Sequence, residues 1–93
     1  MAIAERQGEI VNPLGLHARP SAEFVKLASQ FKCDVQLSKD GMDVNGKSIM
    51  GVMTLAAECG SQVMIRTQGD DAEAALEALA GLVSKGFSEA GEK

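Results

Sequence analysis

Ninety-three residues suffice for one domain with one core and are too few for two. With 45% hydrophobic and 24% charged residues, the chain has the balance of a globular rather than a disordered protein. Its net charge of −4 gives no general attraction for nucleic acid or anionic membrane, and three Phe with no Trp or Tyr leave little for bases to stack on, so neither is expected as a partner.

The N-terminal segment Met1-Ala2-Ile3-Ala4-Glu5-Arg6 lacks the basic-then-apolar pattern of a secretory signal, and no apolar run approaches the ~20 residues a membrane helix needs. Cys33 and Cys59 match no zinc spacing and are expected as reduced, mostly buried thiols, which points to the cytoplasm.

In chain order, residues 5–11 give a weak strand that stops at Asn12-Pro13. Phe24, Leu27, Ala28 and Phe31 fall at helical spacing. Pro20 lacks an N–H and is tolerated in a helix's first turn, so the helix begins a few residues before it, with His17 at or beside the cap. Cys33, Val35 and Leu37 then alternate with Asp34, Gln36 and Ser38 as a half-buried strand. Lys39-Asp40-Gly41 makes a hairpin turn into a short strand at Met42 and Val44, which Asn45-Gly46 ends. Ser48 fits as the cap of a second helix with an apolar stripe of Ile49, Val52, Met53 and Ala56, weakened at Gly51 and closed by Gly60. Val63, Ile65 and Thr67 alternate as a further strand. After the turn at Gly69-Asp70, Asp70 and Glu73 have capping-box spacing for a last helix, whose apolar face is Ala72, Ala75, Leu76, Leu79, Ala80 and Val83. Residues after Phe87 are expected to fray.

The order βαββαβα, with one apolar side to each strand, predicts an α+β protein: an antiparallel sheet with helices on one face, nearest in motif to the ferredoxin-like split βαβ. Pattern alone leaves the strand order open.

The chain's one histidine lies in Gly15-Leu16-His17-Ala18-Arg19-Pro20. A helix start exposes unpaired N–H groups and the positive end of its dipole, which favours anions and the neutral form of an imidazole beside it. A neutral ring nitrogen is a nucleophile. Attached to phosphorus, it would carry a dianion that the amides of Ala18 and Arg19 could receive, with the planar guanidinium of Arg19 as clamp. Gly15 permits close backbone approach. Two readings stand: a reversible phosphoryl acceptor, or a histidine that only caps its helix. The sequence holds no glycine-rich nucleotide loop, metal-ligand cluster or paired carboxylate, so the chain reads as no enzyme, with neither metal nor cofactor.

The segment around His17, together with Lys47-Ser48-Ile49-Met50-Gly51-Val52-Met53-Thr54-Leu55 and the later Gly60-Ser61-Gln62-Val63-Met64-Ile65, resembles the HPr family. These are the histidine phosphocarriers of the bacterial phosphoenolpyruvate-dependent sugar phosphotransferase system. The resemblance spans nearly the whole chain and treats residues 1–93 as a single HPr-like domain. It implies an open-faced β-sandwich, a four-stranded antiparallel sheet covered by three helices on one face. It also implies that His17 takes phosphate on Nδ1 from phospho-enzyme I and hands it to a IIA domain, with Arg19 stabilising the phosphoryl group. Such a carrier is expected to be monomeric.

Ser48 again has two readings. It is a helix N-cap, or, by resemblance, the regulatory serine modified by an HPr kinase/phosphorylase, where a phosphate would add about two negative charges near the docking face and slow transfer to His17. Ile49, Met50 and Met53 cannot all face the core of a short helix beside Val52 and Ala56, so some are either exposed for partners or ordinary core. By resemblance, the docking surface comprises Leu16, Pro20, Lys47, Ile49, Met50, Gly51 and Met53, with Phe24 and Leu27 near its edge. Leu14, with Pro13 before it, stands where relatives often carry a polar residue, and Cys59 is expected to pack under the second helix. The alternatives are a regulatory member serving a nitrogen-type phosphotransferase chain or acting through phospho-Ser48 on a transcriptional regulator, and a plain interaction domain that transfers nothing.

Overall fold

The computed structural model describes residues 2–87, and the expected fraying after Phe87 lies outside them. The elements are β1 (Ile3–Glu9), α1 (Ala18–Ala28), β2 (Asp34–Lys39), β3 (Met42–Asn45), α2 (Ile49–Thr54), β4 (Gln62–Gln68) and α3 (Ala72–Ser84). The first strand begins two residues earlier than its apolar content suggests, because Val11 is exposed and already in the turn.

The four strands form one antiparallel sheet in the order β1-β4-β2-β3. β4 is central, with Ile65 opposite Arg6 on one side and Leu37 on the other. The alternation in β4 holds throughout: Val63, Ile65 and Thr67 are buried, and Gln62, Met64, Arg66 and Gln68 are exposed. This is what a sheet with one covered face requires. α3 packs against β1 and β4, and α2 against β3 and α1. The result is the expected open-faced sandwich. Its core joins Phe24 and Ala28 of α1 to Val35, Leu37, Val63 and Ile65 of the sheet and Leu76, Leu79 and Val83 of α3.

The β2–β3 hairpin closes through Asp40 (φ 52°) and Gly41 (φ 84°), two successive positive-φ residues that match the twist of the paired strands. Thr67 is fully buried, and its hydroxyl is satisfied by donating to the Ala72 carbonyl at 2.7 Å, which joins β4 to the start of α3.

Three expectations need correction. The capping box at Asp70 and Glu73 does not form: Asp71 is the N-cap of α3 and makes no side-chain bond to its own helix. Its carboxylate instead accepts the N–H groups of Lys32 and Cys33, each at 2.9 Å, and so pins the chain before β2 to α3. The Lys32 amide, with help from Cys33, holds the Asp71 carboxyl below its usual range. Secondly, only Cys33 is buried; Cys59 is exposed, its thiol 3.7 Å from the Val11 carbonyl, because the chain after α2 turns outward instead of passing beneath it. Burial pushes the Cys33 thiol up, and Asp71 beside it adds to that. Thirdly, α2 is only six residues long and buries only Val52; Ile49 and Met53 are exposed, and Ala56 lies past its end at φ 51°.

Candidate functional site

His17 is placed by a turn braced from two sides. After β1, the Ile10 amide donates to Ser61 at 2.9 Å and its carbonyl accepts from Gly60 at 2.7 Å, which lays residues 10–16 along the segment that precedes β4. Asn12 is fully buried, and its Nδ2 donates to the Gly15 carbonyl at 2.8 Å while the Gly15 amide returns to the Asn12 carbonyl at 3.1 Å. Gly15 adopts φ 69°, and a Cβ there would stand 2.4 Å from the Ala57 carbonyl oxygen, so glycine is required twice over. The Leu16 amide completes the brace by donating to that carbonyl at 2.9 Å.

α1 begins immediately after. His17 is its N-cap residue, with extended backbone (φ −82°, ψ −165°), and its carbonyl accepts from Ser21 at 3.1 Å. The imidazole makes no cap hydrogen bond. The ring therefore occupies the capping position without doing the capping that would account for a histidine there, and it is half-exposed. Ala18 and Arg19 are the first two helical residues, and both are exposed. Amides at those positions have no carbonyl one turn back to bond. Pro20, next in line, has no N–H to present, and the first turn carries no acidic residue to compete for an anion. What lies next to His17 is thus a short positive field: two first-turn amides and one guanidinium.

Of the anticipated docking residues, Leu16, Pro20 and Phe24 are buried and offer a partner no side-chain surface; they form the floor under the turn and the core side of α1. Leu27 is half-buried. Ile49, Met50 and Met53 are exposed at 44%, 80% and 40%, an apolar patch on α2. Leu14 is also exposed, at 75%, next to the histidine turn. The ammonium of half-buried Lys47 is drawn onto the Phe31 carbonyl at 2.8 Å. Ser48 caps α2: its Oγ accepts from the Gly51 amide at 3.1 Å. A Cβ on half-buried Gly51 would press on that oxygen at 3.3 Å.

Sequence reasoning overlooked Asn12, Ser21 and Ala57. Asn12 reads locally as an ordinary turn residue before Pro13, yet its buried amide shapes the loop. Ser21 is buried, and its hydroxyl donates to the Leu16 carbonyl at 3.2 Å, a role that no spacing announces. Among the described residues, no group of three or more His, Cys, Asp or Glu could hold a metal ion, and no helix is long and apolar enough to cross a membrane.

A four-stranded open-faced sandwich with a half-exposed imidazole at the start of its first helix defines a small α+β class. A family model described as the PTS HPr component phosphorylation site matches residues 4–85. The phosphocarrier protein HPr of Cupriavidus necator is 47% identical over 85 residues, which cover 91% of this chain and 96% of that one. The crystal structure of a phosphocarrier protein HPr from Bacillus anthracis superposes with a TM-score of 0.85 at 48% identity, covering 89% of this chain and 99% of that one. Crh of Bacillus subtilis, a catabolite-repression protein whose crystal structure is described as a swapped dimer, superposes with a TM-score of 0.73 at 47% identity, over 83% of this chain and 86% of that one. The chain belongs to the HPr family, the phosphocarriers of the phosphotransferase system.

Proposed function

We propose that His17 is the phosphoryl acceptor, charged by phospho-enzyme I and discharged to a IIA domain, with residues 1–93 acting as one monomeric carrier domain in the cytoplasm. Nδ1 attacks the phosphorus of the donor's phosphoryl group, the donor's own bond to phosphorus breaks on the opposite side, and the acceptor protein later repeats the displacement on the new P–N bond. The amides of Ala18 and Arg19 and the Arg19 guanidinium balance the dianion while it is carried. One observation carries this reading: the imidazole holds the cap position of α1 without capping it, in a first turn that has no carboxylate. The exposed Ile49, Met50 and Met53 suit a surface that meets several partners in turn. Incubation with phosphoenolpyruvate and enzyme I should give an acid-labile label that His17→Ala lacks; an unlabelled intact chain overturns the assignment and leaves an interaction domain. Sedimentation tests the monomer, which a swapped dimer like that of Crh would overturn.

Ser48 is the regulatory position in this reading, modified by an HPr kinase/phosphorylase. A phosphate there opposes docking of an acidic donor surface by like-charge repulsion. Ser48→Asp should slow charging of His17 by enzyme I, and an unchanged rate refutes the mechanism.

A further inference from the structure

Lys47 adjoins the Ser48 hydroxyl in sequence, yet its side chain is committed elsewhere. Its ammonium donates to the carbonyl of Phe31 at 2.8 Å in a half-buried setting. Phe31 lies in the tightened turn that follows α1, where the Gln30 amide bonds Leu27 at 3.1 Å and the Phe31 amide bonds Ala28 at 3.2 Å. Carbonyls beyond a helix's last turn have no intrahelical donor, so the lysine supplies from a distant segment what a C-terminal cap would. The backbone of Lys47 is fixed meanwhile: its N–H donates to Asn45 Oδ1 at 2.8 Å, and that of Ser48 donates to the Asn45 carbonyl at 3.1 Å. Only the flexible part of the lysine is left to choose among acceptors.

The charged groups around it are few. Asp34, Asp43 and Arg66 line the same 540 Å³ hollow as Lys47, and the Cys33 thiol feels its charge. With both carboxylates in the same hollow, the ammonium still bonds a neutral carbonyl, which marks that carbonyl as its resting partner while Ser48 is unmodified.

We propose that Lys47 is a two-position residue: it caps the turn after α1 through the Phe31 carbonyl when Ser48 is unmodified, and moves to the phosphate when Ser48 carries one. The inference rests on reading Ser48 as a phosphorylation site. A hydrogen bond between two charged groups is roughly twice as strong as one to a neutral acceptor, and a dianion one residue away outcompetes a carbonyl for an unconstrained ammonium. The move leaves the Phe31 carbonyl without its cation. Modification of Ser48 thereby loosens the far end of the helix whose near end bears His17, a route separate from repulsion at the docking face.

The test uses the full chain with phosphoserine installed at position 48 during synthesis, so it needs neither a kinase nor enzyme I. The phosphate is titrated by phosphorus NMR in the parent, in Lys47→Gln and in Lys47→Arg. The midpoint should rise by about one pH unit in Lys47→Gln and return with Lys47→Arg, as expected for loss and recovery of an opposite charge at close range. Amide exchange at Gln30 and Phe31 should quicken on phosphorylation and match that of unmodified Lys47→Gln. Equal midpoints in the parent and Lys47→Gln, or unaltered exchange in that turn, overturn the proposal. Failure of enzyme I to label His17 would instead strike the carrier reading and leave these measurements intact.

Discussion

Replacing Gly15 by alanine sets two separable effects against each other at the base of the histidine turn. An L-residue held at φ 69° pays about 1–2 kcal/mol for the left-handed backbone alone. The new methyl would also stand 2.4 Å from the Ala57 carbonyl oxygen and 2.9 Å from the Glu58 Cα, and both are backbone atoms with no rotamer to yield. Relief requires residues 57–58 to retreat, which pulls that carbonyl from the Leu16 amide it accepts at 2.9 Å. Leaving a buried amide without its acceptor adds about 1–3 kcal/mol, for a total of about 2–5 kcal/mol. Gly60 supplies the control: its φ is 95°, but an added Cβ meets nothing within 4 Å, so Gly60→Ala bears the backbone term alone. Urea denaturation of the two variants, analysed as two-state transitions, gives the difference directly. Midpoint shifts that agree to within about 0.5 kcal/mol would refute the reasoning, since the collision would then contribute nothing beyond the strain of the backbone. Charging of His17 by enzyme I should also fall in Gly15→Ala by about 10–100-fold, because a displacement near 1 Å is enough to misplace a reacting atom.

Asn12→Ala removes the Nδ2 donor to Gly15 from a fully buried position; a loss of about 1–3 kcal/mol in denaturation, with faster amide exchange at Gly15, is expected. Ser48→Ala deletes the cap of α2 and should lower stability by about 1 kcal/mol in the same assay. Ala56→Gly should raise it by up to about 1 kcal/mol, because the residue after α2 sits at φ 51°, where glycine is unstrained. Asp71 has a folded-state value lowered from its ordinary 3.8, so its contribution is complete above that pH and disappears as pH falls through the depressed value. Acid unfolding followed by circular dichroism should therefore begin at higher pH in Asp71→Ala than in the parent, and superimposable acid limbs would remove Asp71 from the account.

The strands were readable where one face is covered. The alternation in β2 and β4 survives because a register slip would turn Leu37 or Ile65 into water. Pro20 placed the start of α1 correctly, since its missing N–H confines it to the first turn. The failures share a physical origin in contacts distant along the chain. Phe24 was assigned to the docking edge but is fully buried, because helical spacing marks an apolar face without saying what covers it. Asp71 spends its carboxylate on Lys32 and Cys33, an arrangement that no capping pattern encodes. The six-residue α2 is too short for periodicity to separate its buried Val52 from exposed Ile49 and Met53. At the site, His17, Arg19 and Ser48 were legible as chemistry. The brace through Asn12 and Ala57 was not, since it joins segments that only folding brings together.

That brace has a bearing on how the protein is made. As a nascent chain leaves the ribosome, α1 and the β2–β3 hairpin are complete while β1 still lacks its only neighbour, because Gln62–Gln68 has yet to emerge. The loop of residues 10–16 waits equally for Ala57, Gly60 and Ser61 to arrive. Pairings so remote along the polymer form late, after the entropy of closing a long loop has been met. An unfinished polypeptide therefore displays its histidine in an unshaped coil, and the topology itself delays competence until synthesis is nearly over.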